Sequence, residues 1–127
     1  MSLPVHRCLI VDDSVAFRAA VRDMLESAGM EVVATVASMA SAVEATARYR
    51  PDVVLVDIDL GGESGFDIVE ALQDVDVPRR PATILVSTHE QDDFAEMIEA
   101  SSAIGFLQKF GLSAERVAEV VAGRPDA

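Results

Sequence analysis

Val53-Val54-Leu55-Val56-Asp57 is an unbroken apolar run closed by a carboxylate. Its reading decides the fold. A strand with both faces buried is apolar throughout, whereas a half-exposed strand alternates. Three further runs of this kind also lead into a polar residue. Cys8-Leu9-Ile10-Val11 leads into Asp12-Asp13. Thr83-Ile84-Leu85-Val86 leads into Ser87, and Ile104-Gly105-Phe106-Leu107 is followed by Lys109. If these strands lie parallel in one sheet, their C-terminal ends bring all five polar groups to one edge. Open α/β sheets place their binding crevices at that edge.

The segments between the runs carry helical periodicity. His6 to Val11 reads as a first strand and Val15 to Ala28 as a helix. Phe17, Val21, Met24, Leu25 and Ala28 mark the apolar face of that helix, and Gly29 stops it. Glu31 to Ala37 reads as a second strand. Ser38 caps a helix to about Tyr49, which Arg50-Pro51 ends. Asp52 to Val56 is the third strand, followed by a loop with Gly61, Gly62 and Gly65. Ser64 and Asp67 have capping-box spacing and open a helix to about Gln73. Ala82 to Val86 is the fourth strand. A helix from about Gln91 to Ser101 is expected to turn Phe94, Met97 and Ile98 inward. Ile104 to Leu107 is the fifth strand, and Ser113 caps a last helix with Val117, Val120 and Val121 apolar. Five strand-helix units in succession imply an α/β fold, with a parallel sheet between two helical layers.

The chain has 127 residues, half of them hydrophobic, which suits one domain with a real core. Its net charge of −12 argues against direct nucleic-acid binding, which draws on Lys and Arg. The acidic balance fits a module that binds cations or other proteins. Cys8 stands alone, so no internal disulfide forms, and it reads as a small core hydrophobe. No apolar run has the length of a membrane span. Met1-Ser2-Leu3-Pro4 lacks the features of a signal peptide, so a cytoplasmic location is expected. Residues 1–4 are expected to be a disordered N-terminus, 5–122 the domain, and 123–127 a tail or the start of a linker.

Taken together, Asp12-Asp13, Asp57, Gly65, Ser87 and Lys109 resemble the receiver domain of two-component response regulators, over roughly residues 5–122. The spacing of Asp57, Ser87 and Lys109 is usual for that family. The resemblance implies a doubly wound, flavodoxin-like five-stranded parallel sheet of order 2-1-3-4-5, with five helices on both faces. It makes Asp57 the phosphoacceptor and Mg²⁺ the cofactor. Asp13, Asp57 and the Asp59 backbone carbonyl are then direct metal ligands, and Asp12 acts through water. Lys109 contributes a positive charge to the phosphoryl group, and Ser87 a hydroxyl. Ser87 and Phe106 form the switch, while Asp59 and His89 occupy rate-tuning positions.

The implied donor is a histidine kinase or phosphotransfer protein, and the domain is a regulated phosphoacceptor rather than a turnover enzyme. Slow self-phosphorylation and self-dephosphorylation are expected side activities. The face of the fourth helix, fifth strand and fifth helix is the expected output surface. It would meet a downstream protein or output domain, or a second copy in a homodimer. Gly105-Phe106-Leu107-Gln108-Lys109 looks like receivers joined to DNA-binding domains.

The chain departs from the family pattern in three places. Phe106 has no hydroxyl where Tyr also occurs, Phe110 stands where proline is frequent, and Gly61 replaces another frequent proline. Two rival readings are a haloacid-dehalogenase-like Mg²⁺ phosphatase, using Asp57 and Asp59 as its paired aspartates, and a phosphorylation-independent pseudo-receiver.

Overall fold

The structure, a computed structural model, describes residues 6–123. The expectations for residues 1–4 and 124–127 lie outside the described residues. Five parallel strands alternate with helices. They are β1 (Arg7–Val11), β2 (Glu31–Val36), β3 (Val53–Asp57), β4 (Ala82–Ser87) and β5 (Gly105–Gln108). The helices are α1 (Val15–Ser27), α2 (Met39–Tyr49), α3 (Gly65–Gln73), α4 (Ala95–Ala100) and α5 (Ala114–Ala122). The strand order is β2-β1-β3-β4-β5, as the resemblance implies.

Strand alternation splits the core into two layers. Cys8, Ile10, Val53, Leu55, Ile84 and Val86 face α1 and α5, where they meet Val21, Leu25 and Val117. Leu9, Val11, Val54, Val56 and Leu85 face the other way, against Ala42 and Ala45 of α2 and Ile68, Val69 and Leu72 of α3. The central strands are therefore buried on both faces, which explains their unbroken apolar composition.

Hydroxyl caps start four helices. Ser14, Ser38, Ser64 and Ser113 accept from the backbone N–H of Phe17, Ser41, Phe66 and Arg116 respectively. These bonds satisfy amides that the helix itself leaves unpaired. Ser64 thus caps α3 through the second residue beyond it, rather than through Asp67.

Local differences from the sequence reading have physical causes. The segment 91–101 is not one helix: a 3-10 turn, Gln91–Phe94, leads into the six-residue α4. Phe94 and Ile98 pack partly inward, but Met97 is 52% exposed. So short a helix has room for one narrow inward stripe, and Met97 falls beside it. Ala28 is an exposed C-cap rather than a face residue, because α1 ends at Ser27. A small antiparallel ladder, Asp59–Leu60 with Glu63–Ser64, occupies the loop after β3. Glu63 Oε1 in that ladder accepts from Met39 N–H at 2.9 Å and ties the loop to the start of α2. No helix among the described residues is long and apolar enough to cross a membrane.

Candidate phosphoacceptor and metal site

The strand order reverses between β1 and β3, since β2 lies outside β1 and β4 lies outside β3. Crevices form at such a reversal, outside the carboxyl ends of the strands. Register then sets the neighbours. Val11 pairs with Val56, Asp57 with Val86, and Ser87 with Gln108. The polar residues beyond these pairs are held by extensions of the same ladders. Asp12 N–H donates to Val36 O at 3.0 Å, Ile58 N–H to Val86 O at 3.0 Å, and Lys109 N–H to Ser87 O at 2.8 Å.

Asp12 is fully buried. Its Oδ1 accepts from Ser14 N–H at 2.8 Å, and its Oδ2 lies 2.6 Å from Lys109 Nζ. Arg18, from the first turns of α1, donates to the Asp12 carbonyl at 2.6 Å. Lys109 Nζ also lies 3.4 Å from Asp57 Oδ2. Asp13 is exposed at the mouth. Asp12, Asp13 and Asp57 each offer a carboxylate oxygen, and these atoms lie within 4.8 Å of one another. Three carboxylates with one ammonium leave an excess of negative charge in a partly dry crevice. An oxygen-only donor set of this kind fits a hard divalent cation such as Mg²⁺.

The electrostatics agree. Burial first, and the charge of Asp12 second, push the Asp57 carboxyl up to about 6, despite the opposing pull of Lys109 and the Asp59 N–H. Burial alone would lower the Lys109 pKa. Contact with Asp12 and the charges of Asp57 and Asp12 outweigh it and hold the ammonium above its ordinary value.

Ser87 is buried, and its Oγ accepts from His89 N–H at 3.0 Å. The exposed His89 ring approaches that hydroxyl at 3.3 Å through Nδ1 and stacks edge-on against Phe94, with centroids 5.7 Å apart. Asp59 is exposed, and its Oδ1 accepts from Gly61 N–H at 3.2 Å instead of joining the carboxylate cluster. Its own N–H reaches Asp57 Oδ1 at 3.4 Å. Phe106 is half-buried in β5 against the layer of α2 and α3. Phe110 is 93% exposed, and the bond before it is trans. At Gly65, where α3 begins, any Cβ would collide with the Asp57 carbonyl, so only glycine lets the helix approach this closely.

The structure thus brings Asp12, Asp13, Asp57 and Lys109 together and sets Ser87 at the neighbouring strand end. Sequence reasoning missed Arg18, which binds the Asp12 carbonyl, and Glu63, which holds the loop to α2. It also assigned Phe17 to the core alone. The Phe17 ring centroid lies 4.2 Å from Lys109 Nζ. The available signal was its place in the first turn of α1, directly after the acidic pair.

This architecture and acidic crevice define a receiver-type module. The family model described as "Response regulator receiver domain" matches residues 8–121, and the chain belongs to that family. The chain is 32% identical over 117 residues to the chemotaxis protein CheY of Bacillus subtilis, covering 91% of this chain and 94% of CheY. It is 39% identical over 102 residues to the nitrate/nitrite response regulator protein NarP of Escherichia coli, covering 80% of this chain and 46% of NarP. Over 104 residues it is 36% identical to a protein-glutamate methylesterase/protein-glutamine glutaminase of Natronomonas pharaonis, covering 80% of this chain and 28% of that protein. It therefore spans less than half of the latter two relatives. Among solved structures, the receiver domain of a putative response regulator NarL from Mycobacterium tuberculosis superimposes with a TM-score of 0.82. The two are 27% identical, with 94% of this chain and 98% of that one covered.

Proposed function

We propose that this domain accepts a phosphoryl group on Asp57 from a histidine kinase or phosphotransfer protein and relays that state to a downstream partner. The observation that carries the reading is the Asp57 carboxylate, gathered with Lys109 and the acidic pair at the sheet's switch point. Asp57 Oδ attacks phosphorus while the donor's P–N bond, or the P–O bond of an acyl phosphate, breaks. A carboxylate needs no general base for this at neutral pH. Lys109 neutralises charge on the phosphoryl oxygens as the anions meet. Asp13, Asp57 and the Asp59 carbonyl would hold Mg²⁺ directly, with Asp12 behind a water; bound there, the ion supplies charge neutralisation and orients the phosphoryl group.

Ser87 then turns from His89 to the new acceptor oxygens, and Phe106 repacks beside it. The face of α4, β5 and α5 reads out this change, either to an output domain or in a homodimer. Resemblance to the DNA-binding transcriptional activator EvgA of Escherichia coli, about half of whose length this chain spans, supports the receiver portion of a transcriptional regulator. A cytoplasmic setting follows from such a role, and the charge of −12 speaks against nucleic-acid contact by this domain itself.

The test is intact mass after incubation with acetyl phosphate, with and without Mg²⁺, for wild type and Asp57→Asn. A gain of one phosphoryl group only in wild type with Mg²⁺ is expected. No gain in folded, Mg²⁺-binding protein would overturn the reading in favour of the pseudo-receiver. Multiple turnover of a phosphomonoester would favour the phosphatase.

A further inference from the structure

Lys109 carries a four-carbon stem that can reach water, yet its side chain is only 15% exposed and its ammonium stays in the crevice. The two carboxylates account for part of this. Asp12 takes the ammonium at 2.6 Å and Asp57 at 3.4 Å. A third neighbour is the Phe17 ring, whose centroid is 4.2 Å from Nζ, close enough for its negative face to attract the cation. Phe17 packs partly on the α1–α5 core, and its backbone N–H is fixed by the Ser14 cap. Core packing, helix cap and ring thus connect α1 to the lysine.

We propose that Phe17 is a positioning residue for Lys109: its aromatic face packs against the ammonium and holds the charge beside Asp57. This rests on the phosphoacceptor reading of Asp57 for its functional consequence, though not for its geometry. A purely core role would need only apolar volume at position 17. The positioning role needs the ring's electron-rich face, and it directs the lysine to the place where the phosphoryl oxygens arrive. Without the ring, the ammonium keeps its hold on Asp12 but spends less time within reach of Asp57.

The experiment has two readouts on Phe17→Leu, Phe17→Tyr and a series of ring-fluorinated phenylalanines at position 17. The first is the NMR shift of the Lys109 ε-methylene protons in unphosphorylated protein. A ring-current upfield shift is expected in wild type and Phe17→Tyr, and its loss in Phe17→Leu. The second is the rate of phosphorylation by acetyl phosphate at saturating Mg²⁺. It should fall about 3–10-fold in Phe17→Leu, hold in Phe17→Tyr, and decline stepwise with fluorination, which weakens the ring face while keeping its volume. Should Phe17→Leu fail to fold, the fluorinated series carries the test. An unshifted Lys109 signal in wild type, or equal rates across the series, overturns the proposal. A wild type that shows the shift but takes up no phosphoryl group overturns the phosphoacceptor reading and leaves the geometry standing.

Discussion

The Lys109 ammonium rests 2.6 Å from the Oδ2 of Asp12, a carboxylate with no exposed surface. Removing one partner of such a pair strands the other charge in a poorly solvated place. Lys109→Met, which keeps most of the apolar stem, is therefore expected to destabilise the metal-free domain by about 3 kcal/mol. Urea unfolding measures this. Added Mg²⁺ should recover part of the loss by compensating the carboxylates. A variant as stable as wild type without metal would mean that Asp12 is adequately solvated.

Asp57 predicts a pH-dependent stability. Its folded pKa of about 6 lies above the ordinary 3.8, so the folded protein holds this proton more tightly than the unfolded chain. Below about pH 4 both states are protonated and no cost arises. Between roughly pH 4 and 6 stability falls, and above that the cost is constant. In metal-free protein, Asp57→Asn should thus be more stable than wild type at pH 7.5, by on the order of 2–3 kcal/mol, and similar at pH 4. Saturating Mg²⁺ should shrink the difference, because only the ionised carboxylate is a full ligand. A gap independent of pH would contradict the assigned burial.

Gly65 and Gly105 offer a contrast. A Cβ at Gly65 meets the Asp57 backbone, which cannot yield without moving the Asp57 carboxylate. One at Gly105 comes within 2.7 Å of Val120 Cγ1, a side-chain methyl rather than backbone. Gly65→Ala should cost about 2–3 kcal/mol in unfolding and weaken Mg²⁺ binding, whereas Gly105→Ala should cost about 1 kcal/mol and leave Mg²⁺ affinity intact. Isothermal titration with Mg²⁺ separates the two, and equal affinities in both variants would count against the tight seat of α3 on β3.

Ser87→Ala should still take up a phosphoryl group, since the hydroxyl touches His89 rather than Asp57 in the resting state. What it should lose is the response. The phosphorylation-induced chemical-shift changes at Phe106 and α4 are expected to fall severalfold. Loss of the mass gain itself would instead place Ser87 in the bond-forming step.

The strand-helix alternation was legible because burial on both faces forces runs such as Val53–Val56 to be apolar throughout. The carboxylates stood out because each follows such a run. Helix starts were readable at Ser38, Ser64 and Ser113, where a hydroxyl precedes a periodic segment. The region 91–101 was harder, because Phe94, Met97 and Ile98 fit a helical stripe whether the helix has six residues or eleven.

By itself, then, the sequence determined the layers, the residues at the strand ends and the acidic chemistry, since these follow from local periodicity and residue type. Tertiary structure decided which of those residues touch. The pairing of Lys109 with Asp12 at 2.6 Å, the hold of Arg18 on the Asp12 carbonyl and the Phe17 ring beneath the ammonium all join segments far apart in the chain or across a helix start. Such contacts depend on strand register and helix docking, and those are set by the packing of the whole core rather than by any local run.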